Sequence, residues 1–225
     1  GWNVLSTWAM GDDLETLQKA GEATVNLVVS AVGMRAAKIL WERYKIPYVI
    51  GTPNQWLAED ISNALETAIA RCTAETQQSV TTQQSTIEQY STVTEGTSAA
   101  QQADPAALYL QNRMQQNAEI TLIGEPVTMG SLAAGIEKKY GHSTRVFCPL
   151  KGCEALLGKK DKVVLGEEAM EEALKDSKII VADPLYRPIC PKDSTFYELP
   201  HVAFSGRMFY NFIHLDVNLV VLPGK

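Results

Sequence analysis

The clearest pattern of apolar and polar positions in this chain lies between residues 118 and 150. Ile120 to Ile123 is a short apolar, β-branched run, which is typical of a buried strand. After Gly124-Glu125-Pro126 the apolar residues recur at helical spacing until Gly141, at Met129, Leu132, Ala133, Ile136 and Tyr140. Arg145 to Cys148 resumes a strand pattern. The stretch therefore predicts a strand–helix–strand unit with parallel strands, and the loop after Ile123 falls at a carboxyl edge, where open α/β sheets bind ligands.

An earlier part of the chain has the same order of parts. Its predicted elements are a strand at Val25–Val29, a turn at Ser30–Gly33, a helix at Met34–Tyr44 and a strand at Tyr48–Ile50. Both predicted helices end in a tyrosine that follows a basic residue, in Arg43-Tyr44 and Lys139-Tyr140. A first strand at Val4–Trp8 and a helix at Leu14–Ala20, capped by Asp12 or Asp13, precede this unit. We therefore predict an α/β fold of tandem Rossmann-like units, with parallel sheets flanked by helices.

The remaining stretches set the predicted domain limits. Gly51-Thr52-Pro53-Asn54 caps a helix from residue 55 or 56 to Cys72, and the polar stretch Thr73–Asp104 reads as a surface helix that passes into a linker. Further predicted elements are a helix at 106–115, strands at 162–165, 179–182 and 202–204, and a helix at 167–174. The predicted organisation is a first unit at 1–72, a polar helical linker at 73–117 and a second Rossmann-like domain at 118–225.

Composition excludes several classes of protein. The net charge of −6 over 225 residues, without a basic stripe, argues against nucleic acid as a partner. No apolar run approaches the roughly 20 residues of a membrane helix, so no membrane is expected. Four scattered cysteines indicate a reducing cytoplasm rather than a disulfide framework. The start at Gly1, without an initiator Met, suggests a piece of a longer protein.

Three loops are predicted to converge at one sheet edge and to form a cleft between the domains. They are Ser30–Gly33, Gly124–Gly130 and Asp183–Arg187, with Ser205-Gly206 beside the last. In the functional interpretation Glu125 and Asp183 are ligands or acids, while Arg187 and Arg207 hold an anionic group. In the structural alternative, Asp183 and Arg187 pair with each other or with backbone amides.

Other chemistries find less support in the sequence. The dinucleotide fingerprint and the Walker motif are both missing, which argues against a nucleotide cofactor. The spacing of Cys148 and Cys153 is compatible with thiolate ligands of a metal ion, but no second pair of ligands follows. An ordinary buried thiol is therefore the better interpretation of Cys148, and no metal site is predicted. His142, His201 and His214 do not combine with a Ser or Cys in a hydrolase motif.

Two segments resemble the nitrogenase component 1 family. In residues 4–61 the resemblance lies in a strand with Trp8, the Gly11-Asp12-Asp13 turn, Val25-Asn26-Leu27-Val28-Val29, Trp41-Glu42-Arg43-Tyr44 and Ile46-Pro47-Tyr48 before a Gly-Thr-Pro loop. In residues 120–206 it lies in the strand before Gly124-Glu125-Pro126, in Ile179 to Pro184, and in Leu199-Pro200-His201 leading to Phe204-Ser205-Gly206.

The resemblance implies a fragment of an oxidoreductase subunit that works beside a paired homologous subunit, as a homo- or hetero-oligomer. It also implies an ATP-dependent iron–sulfur reductase as electron donor. The family's iron–sulfur cluster is held by cysteines nearer the amino terminus, so the full-length protein is expected to carry the cluster and this fragment no cofactor. Where the nitrogenase catalytic subunit anchors its cofactor by a cysteine, this chain has Ser30, which is a poor ligand for iron. Where that subunit has a second anchoring histidine, the alignment places Pro200, beside His201.

The expected site is therefore defined by position, with the catalytic residues left open. The expected cofactor- or substrate-binding residues are Ser30, Gly33, Gly124, Glu125, Asp183, Arg187 and His201. Reduction of an unidentified substrate in the interdomain cleft is the first hypothesis, and this fragment alone is expected to be inactive. The alternatives are a non-catalytic scaffold for metallocofactor assembly, a subunit of the tetrapyrrole-reductase type, and a binding module that has lost redox function.

Overall fold

A computed structural model describes residues 1–8, 11–84, 118–201 and 205 of the chain. The predicted helix at 106–115 and the predicted strand at 202–204 lie outside these residues, as do Gly206 and Arg207. We call residues 1–84, within these limits, the first unit, and residues 118–205 the second unit. In the described parts of both units, no helix combines the length and the apolar character needed to cross a membrane.

The first unit contains a two-stranded parallel sheet and three helices. Its elements are α1 (Leu14–Gln18), a 3-10 helix (Lys19–Glu22), β1 (Asn26–Val28), a 3-10 helix (Ala31–Gly33), α2 (Met34–Tyr44), β2 (Tyr48–Ile50) and α3 (Ala58–Gln84). β1 and β2 pair in register from Asn26 with Tyr48 to Val28 with Ile50. The predicted bounds of α2 and β2 are confirmed. The helix predicted from 55 or 56 to Cys72 begins at Ala58 and continues to Gln84.

The predicted strand at Val4–Trp8 is wrong. Residues 4–7 have no regular structure, and Val4 is 70% exposed. The segment is held by isolated contacts instead: Trp2 Nε1 donates to Ser62 Oγ at 2.9 Å, and the Thr7 amide donates to an Asp12 carboxylate oxygen at 2.5 Å. An extended segment becomes a strand only when a neighbouring strand accepts its hydrogen bonds, and in the described residues β1 pairs with β2 alone.

The second unit is a five-stranded parallel sheet flanked by helices. Its elements are β3 (Ile120–Ile123), α4 (Pro126–Tyr140), β4 (Thr144–Cys148), a 3-10 helix (Glu154–Leu156), β5 (Lys162–Val163), α5 (Glu167–Leu174), β6 (Ile179–Ala182), a 3-10 helix (Pro184–Ile189) and β7 (Thr195–Glu198). The strand order is β5-β4-β3-β6-β7, and all four pairings are parallel. From β3 the chain adds strands first on one side and then on the other, so its direction across the sheet reverses between β3 and β6.

Two helices of similar design cross from strand to strand. α2 ends at Tyr44 and is followed by Lys45 in the left-handed conformation (φ 57°), whereas α4 ends at Tyr140 and is followed by Gly141 (φ 70°). A left-handed residue after the last turn ends a helix, and glycine adopts it without steric cost. The tyrosine ends seen in the sequence are therefore true helix ends.

Apolar clusters cover both faces of the large sheet and also join the two units. Ile120, Leu122, Val146 and Val181 pack under α4, while Ile123, Phe147 and Ile180 pack against Met170 and Leu174 of α5. A third cluster combines Val28, Ala37, Tyr48 and Ile50 of the first unit with Val127 and Leu156 of the second. Because a two-stranded sheet alone is marginal in water, this shared cluster stabilises the first unit.

Candidate functional site

The carboxyl ends of β3 and β6 lie side by side where the strand order reverses, and both predicted acids follow these strands directly. Glu125 comes two residues after β3, and Asp183 comes one residue after β6. Ligands of open α/β sheets bind in the crevice outside such a reversal. The structure thus places two of the sequence-predicted loops at one sheet edge, as expected.

The Glu125 carboxylate joins the two units. Its Oε1 accepts the backbone N–H of Ala31 at 2.7 Å, and its Oε2 accepts the N–H of Thr128 at 2.8 Å. Ala31 begins the 3-10 helix that leads into α2, and Thr128 lies in the first turn of α4. Helix N-termini carry unpaired N–H groups and a partial positive charge, so one carboxylate caps two helices from different units. Ser30, the residue before Ala31, is thereby brought close to Glu125.

A second set of contacts joins the loop after β2 to α4. The Thr52 N–H donates to Ser131 Oγ at 2.8 Å, and Asn54 Nδ2 donates to the Ser131 carbonyl at 3.1 Å. Asn54 Oδ1 also accepts the N–H groups of Trp56 and Leu57, which confirms the predicted capping loop before α3. We call Ala31, Thr52, Asn54, Glu125 and Ser131 the junction.

Close packing at the junction depends on one glycine. A Cβ on Gly135 would lie 2.8 Å from Trp56 Cε3 and 3.0 Å from Asn54 Oδ1. Trp56 also meets the Tyr140 ring edge to face, with 5.6 Å between the ring centroids. The loop after β2 therefore packs directly against the middle and the end of α4.

Asp183 is buried, at 4% exposure, and anchors three groups. Its Oδ1 accepts Ser205 Oγ at 2.6 Å and the Leu185 N–H at 2.9 Å, and its Oδ2 accepts the His201 N–H at 2.8 Å. A buried carboxylate is stable only with such partners. Asp183 thus binds backbone amides, which is the structural alternative given above. His201 takes part through its main-chain N–H.

Arg187 does not pair with Asp183. Its Nη1 donates to Glu198 Oε1 at 2.7 Å, and its guanidinium lies 5.6 Å from the centroid of the Phe196 ring. Both partners belong to β7, a strand that the sequence pattern did not predict. Arg187 therefore lies along the edge strand.

Gly124 shapes the turn that presents Glu125. It has φ +155°, and a Cβ there would lie 3.0 Å from the Met129 side chain. Ser30 has extended backbone, and its side chain makes no capping hydrogen bond. Among the predicted residues, Ser30 thus lies next to Ala31, which Glu125 binds, and Gly124 directly precedes Glu125, while Asp183 and His201 form a separate group.

The cysteines of this edge are buried thiols, as predicted for Cys148. Cys148 Sγ lies 3.7 Å from the Leu150 carbonyl oxygen, and Cys153 Sγ lies 3.8 Å from that of Lys151. The pKa of Cys148 is raised to about 11, chiefly by burial, with smaller contributions from Cys153 and Glu125. Burial and the nearby Asp183 also raise the pKa of the Tyr186 hydroxyl. Within the described ranges, no three His, Cys, Asp or Glu side chains are grouped to hold a metal ion.

Sequence reasoning missed a polar network on the α5 face of the sheet. Arg145 Nε donates to Thr121 Oγ1 at 2.9 Å, its Nη2 donates to Ser177 Oγ at 2.8 Å, and the two hydroxyls lie 3.1 Å apart. Burial lowers the pKa of Arg145, whereas the charge of Asp176 opposes this shift. The signal was present: Thr121 and Arg145 interrupt two apolar strands at positions that pair in register.

The fold and this edge define the chain as an α/β protein whose parallel sheet carries polar loops at its carboxyl ends. Compared with family models, with curated proteins and with solved structures, the chain has no match in any of the three.

Proposed function

We propose that this chain is part of a nitrogenase component 1-like oxidoreductase subunit, built from tandem Rossmann-like units, whose substrate binds where the two units meet. The observation that carries the proposal is the junction itself. Glu125, at the strand reversal of one parallel sheet, binds Ala31 in the loop after a parallel strand of the other unit. This arrangement faces two carboxyl-edge loops toward one place, which is where such sheets take ligands.

The strand order supports the Rossmann-like part of the proposal. Counted from β3, the order β5-β4-β3-β6-β7 corresponds to 3-2-1-4-5, which is five strands of the six in the Rossmann arrangement. The first unit repeats the strand–helix–strand portion with β1, α2 and β2.

The side chains at the edge favour binding over acid–base chemistry. Glu125, Asp183 and Arg187 all have protein partners at hydrogen-bonding distance. In this proposal the electrons come from an ATP-dependent iron–sulfur reductase, and this chain contributes shape and backbone groups near Ser30 and Gly124. The described residues do not fit an iron–sulfur cluster, because no set of three ligating side chains is grouped among them.

The same observation favours a second candidate, a non-catalytic scaffold that carries a cofactor precursor to a partner enzyme. A scaffold needs no acid or base at its edge, and the charged groups here are held by the protein. The two proposals differ in whether the protein turns over a substrate: the oxidoreductase does, and the scaffold does not.

The test is to purify the protein anaerobically through a tag on this chain and to assay what accompanies it. Reduction of a supplied substrate that requires both the co-purified iron–sulfur reductase and MgATP supports the oxidoreductase. Transfer of a cluster to a partner without turnover supports the scaffold. Absence of any reductase or homologous subunit from the purified material contradicts both.

A matched pair of variants then tests the place of binding. Glu125→Ala removes the contact between the loops and is expected to abolish either activity. Asp60→Asn removes the exposed ion pair with Lys138 at 2.6 Å, which joins α3 to α4 away from the sheet edge, and is expected to leave activity unchanged. Equal activity of the two variants would show that the substrate or cofactor precursor does not bind at the junction.

A further inference from the structure

The exposed apolar surface of this protein is concentrated in one region. Of eleven large hydrophobic side chains that are exposed among the described residues, eight belong to residues 1–44: Trp2, Val4, Trp8, Leu14, Val29, Val32, Ile39 and Tyr44. Scattered exposed apolar side chains are normal, but a contiguous group marks an interaction surface.

Four of the eight line one groove between α1 and α2. The groove has a volume of about 440 Å³, and the side chains that line it include Trp8, Leu17 of α1, and Ile39 and Tyr44 of α2. Val32 is 87% exposed, and Trp8 and Tyr44 are 50% and 56% exposed. A small ligand is normally buried over most of its surface, so an open trough of this kind fits a macromolecular segment better.

The charges in the groove have one sign. Arg35 and Arg43 are the charged residues among those that line it, and both belong to α2. Their eight-residue separation on a helix corresponds to about 12 Å. Among the described residues neither guanidinium has an ion-pair partner, whereas Lys138, Lys175, Lys178 and Arg187 all do. Within the described part of the chain, the groove therefore combines apolar side chains with two cations that have no ion-pair partner there.

We propose that this groove binds an acidic amphipathic helix of a partner protein. Charge complementarity requires carboxylates about two helical turns apart, opposite Arg35 and Arg43. The apolar strip requires hydrophobic side chains at i, i+3 or i+4, and i+7, which is how helices are held in grooves. Nucleic acid does not fit, since two cations beside an apolar strip on a chain of net charge −6 form no track for phosphates.

The test uses a fluorescein-labelled synthetic helix of 18 residues, with leucines at i, i+3, i+7 and i+10 and glutamates seven residues apart beside them. A second peptide differs only in having lysines in place of these glutamates. Fluorescence anisotropy with the full chain is expected to show saturable binding of the glutamate peptide, at least tenfold tighter than that of the lysine peptide.

Charge reversal in the protein should invert this preference. Arg43→Glu is expected to weaken the glutamate peptide at least tenfold and to strengthen the lysine peptide. Lys38→Glu lies on the same helix but outside the groove lining, and is expected to keep the original preference. All these positions are exposed, and circular dichroism checks that the variants fold.

Three results of the peptide experiments would overturn the proposal. They are failure of the glutamate peptide to bind, equal binding of the two peptides, and an equal effect of the Lys38→Glu and Arg43→Glu variants. Self-association of the full chain that Arg43→Glu abolishes in sedimentation velocity would place a second copy in the groove, and would also overturn it.

Discussion

Glu125 and Ala31 lie 94 positions apart in the chain, yet a carboxylate oxygen of Glu125 accepts the backbone N–H of Ala31 at 2.7 Å. The other carboxylate oxygen caps α4, so a single side chain fixes the beginning of two helices in different units. A ligand was expected at this sheet edge, but both oxygens of the Glu125 carboxylate accept backbone N–H groups of the protein itself.

Replacement of Glu125 should therefore cost stability. Glu125→Ala removes a helix cap and a charge-assisted hydrogen bond, and we expect the free energy of unfolding to fall by about 2 kcal/mol. Urea unfolding followed by tryptophan fluorescence measures the change. Glu66→Ala, at an exposed position of α3, is the control and should alter stability by less than about 0.5 kcal/mol. Similar values for the two variants would mean that the Ala31 contact contributes little.

Asp183 should prove more sensitive than its hydroxyl partner. Asp183→Ala leaves the Leu185 and His201 amides and the Ser205 hydroxyl without their acceptor, and we expect a loss of about 3 kcal/mol. Ser205→Ala removes one hydrogen bond and should cost about 1 kcal/mol. The same urea experiment compares the two. A Ser205→Ala loss as large as that of Asp183→Ala would show that Asp183 does not hold the three groups together.

Cys148 should be inert at neutral pH and should make stability depend on pH in the alkaline range. Its pKa is raised from 9.0 to about 11, so the folded state holds the proton more tightly than the unfolded state. This contribution is complete below pH 9 and is lost as pH rises to about 11, on the order of 2 kcal/mol. Cys148→Ala should flatten the fall in unfolding free energy between these values. An unchanged slope would exclude Cys148 as its source.

Thiol labelling gives an independent measurement on the same group. With iodoacetamide at pH 8, peptide mapping by mass spectrometry should find Cys148 unmodified in the folded protein and modified in urea. Cys72, which is half-exposed, serves as the internal control. Equal labelling of both cysteines in the folded protein would contradict the burial of Cys148.

The Gly135 contact can be tested by a double-mutant cycle. Alanine favours a helix over glycine by about 1 kcal/mol, but the crowding of its Cβ against Trp56 should cost about 1–3 kcal/mol. We expect Gly135→Ala to destabilise the wild type and to cost less in a Trp56→Leu background, where the contact with Asn54 Oδ1 at 3.0 Å remains. The same cost in both backgrounds would show that Trp56 is not what excludes the Cβ.

Local pattern predicted several elements to the residue because their signals are strong and self-contained. Met34–Tyr44, Glu167–Leu174 and Ile179–Ala182 have either a helical apolar period with a clear end or an uninterrupted apolar run. β7 was missed because Thr195–Glu198 is a half-buried edge strand, with exposed residues at both ends and no continuous apolar signal. Val4–Trp8 was wrongly predicted as a strand for the reverse reason: its Val, Thr and Trp residues favour a strand locally, but pairing requires a neighbouring strand, and among the described residues none pairs with it.

For the candidate site too, the sequence predicted the positions of the acids but not their contacts. The sequence placed Glu125 and Asp183 after parallel strands, because strand direction and connection rules are properties of short stretches. It did not determine what their carboxylates bind, since Ala31 and Ser205 reach them only through the docking of distant segments.

By itself the sequence determined the alternation of strands and helices, the parallel sheets and the position of the polar loops at their carboxyl ends. The periods of 2 and 3.6 residues and the turn residues act over a few positions each, which is why they can be read without a structure. Only the tertiary structure decided that Glu125 caps a helix of the other unit, that Arg187 faces β7, and that Arg35 and Arg43 line a groove between α1 and α2 without an ion-pair partner among the described residues. These are contacts between segments far apart in the chain, and the free energy that selects them comes from packing and burial, which no local pattern records.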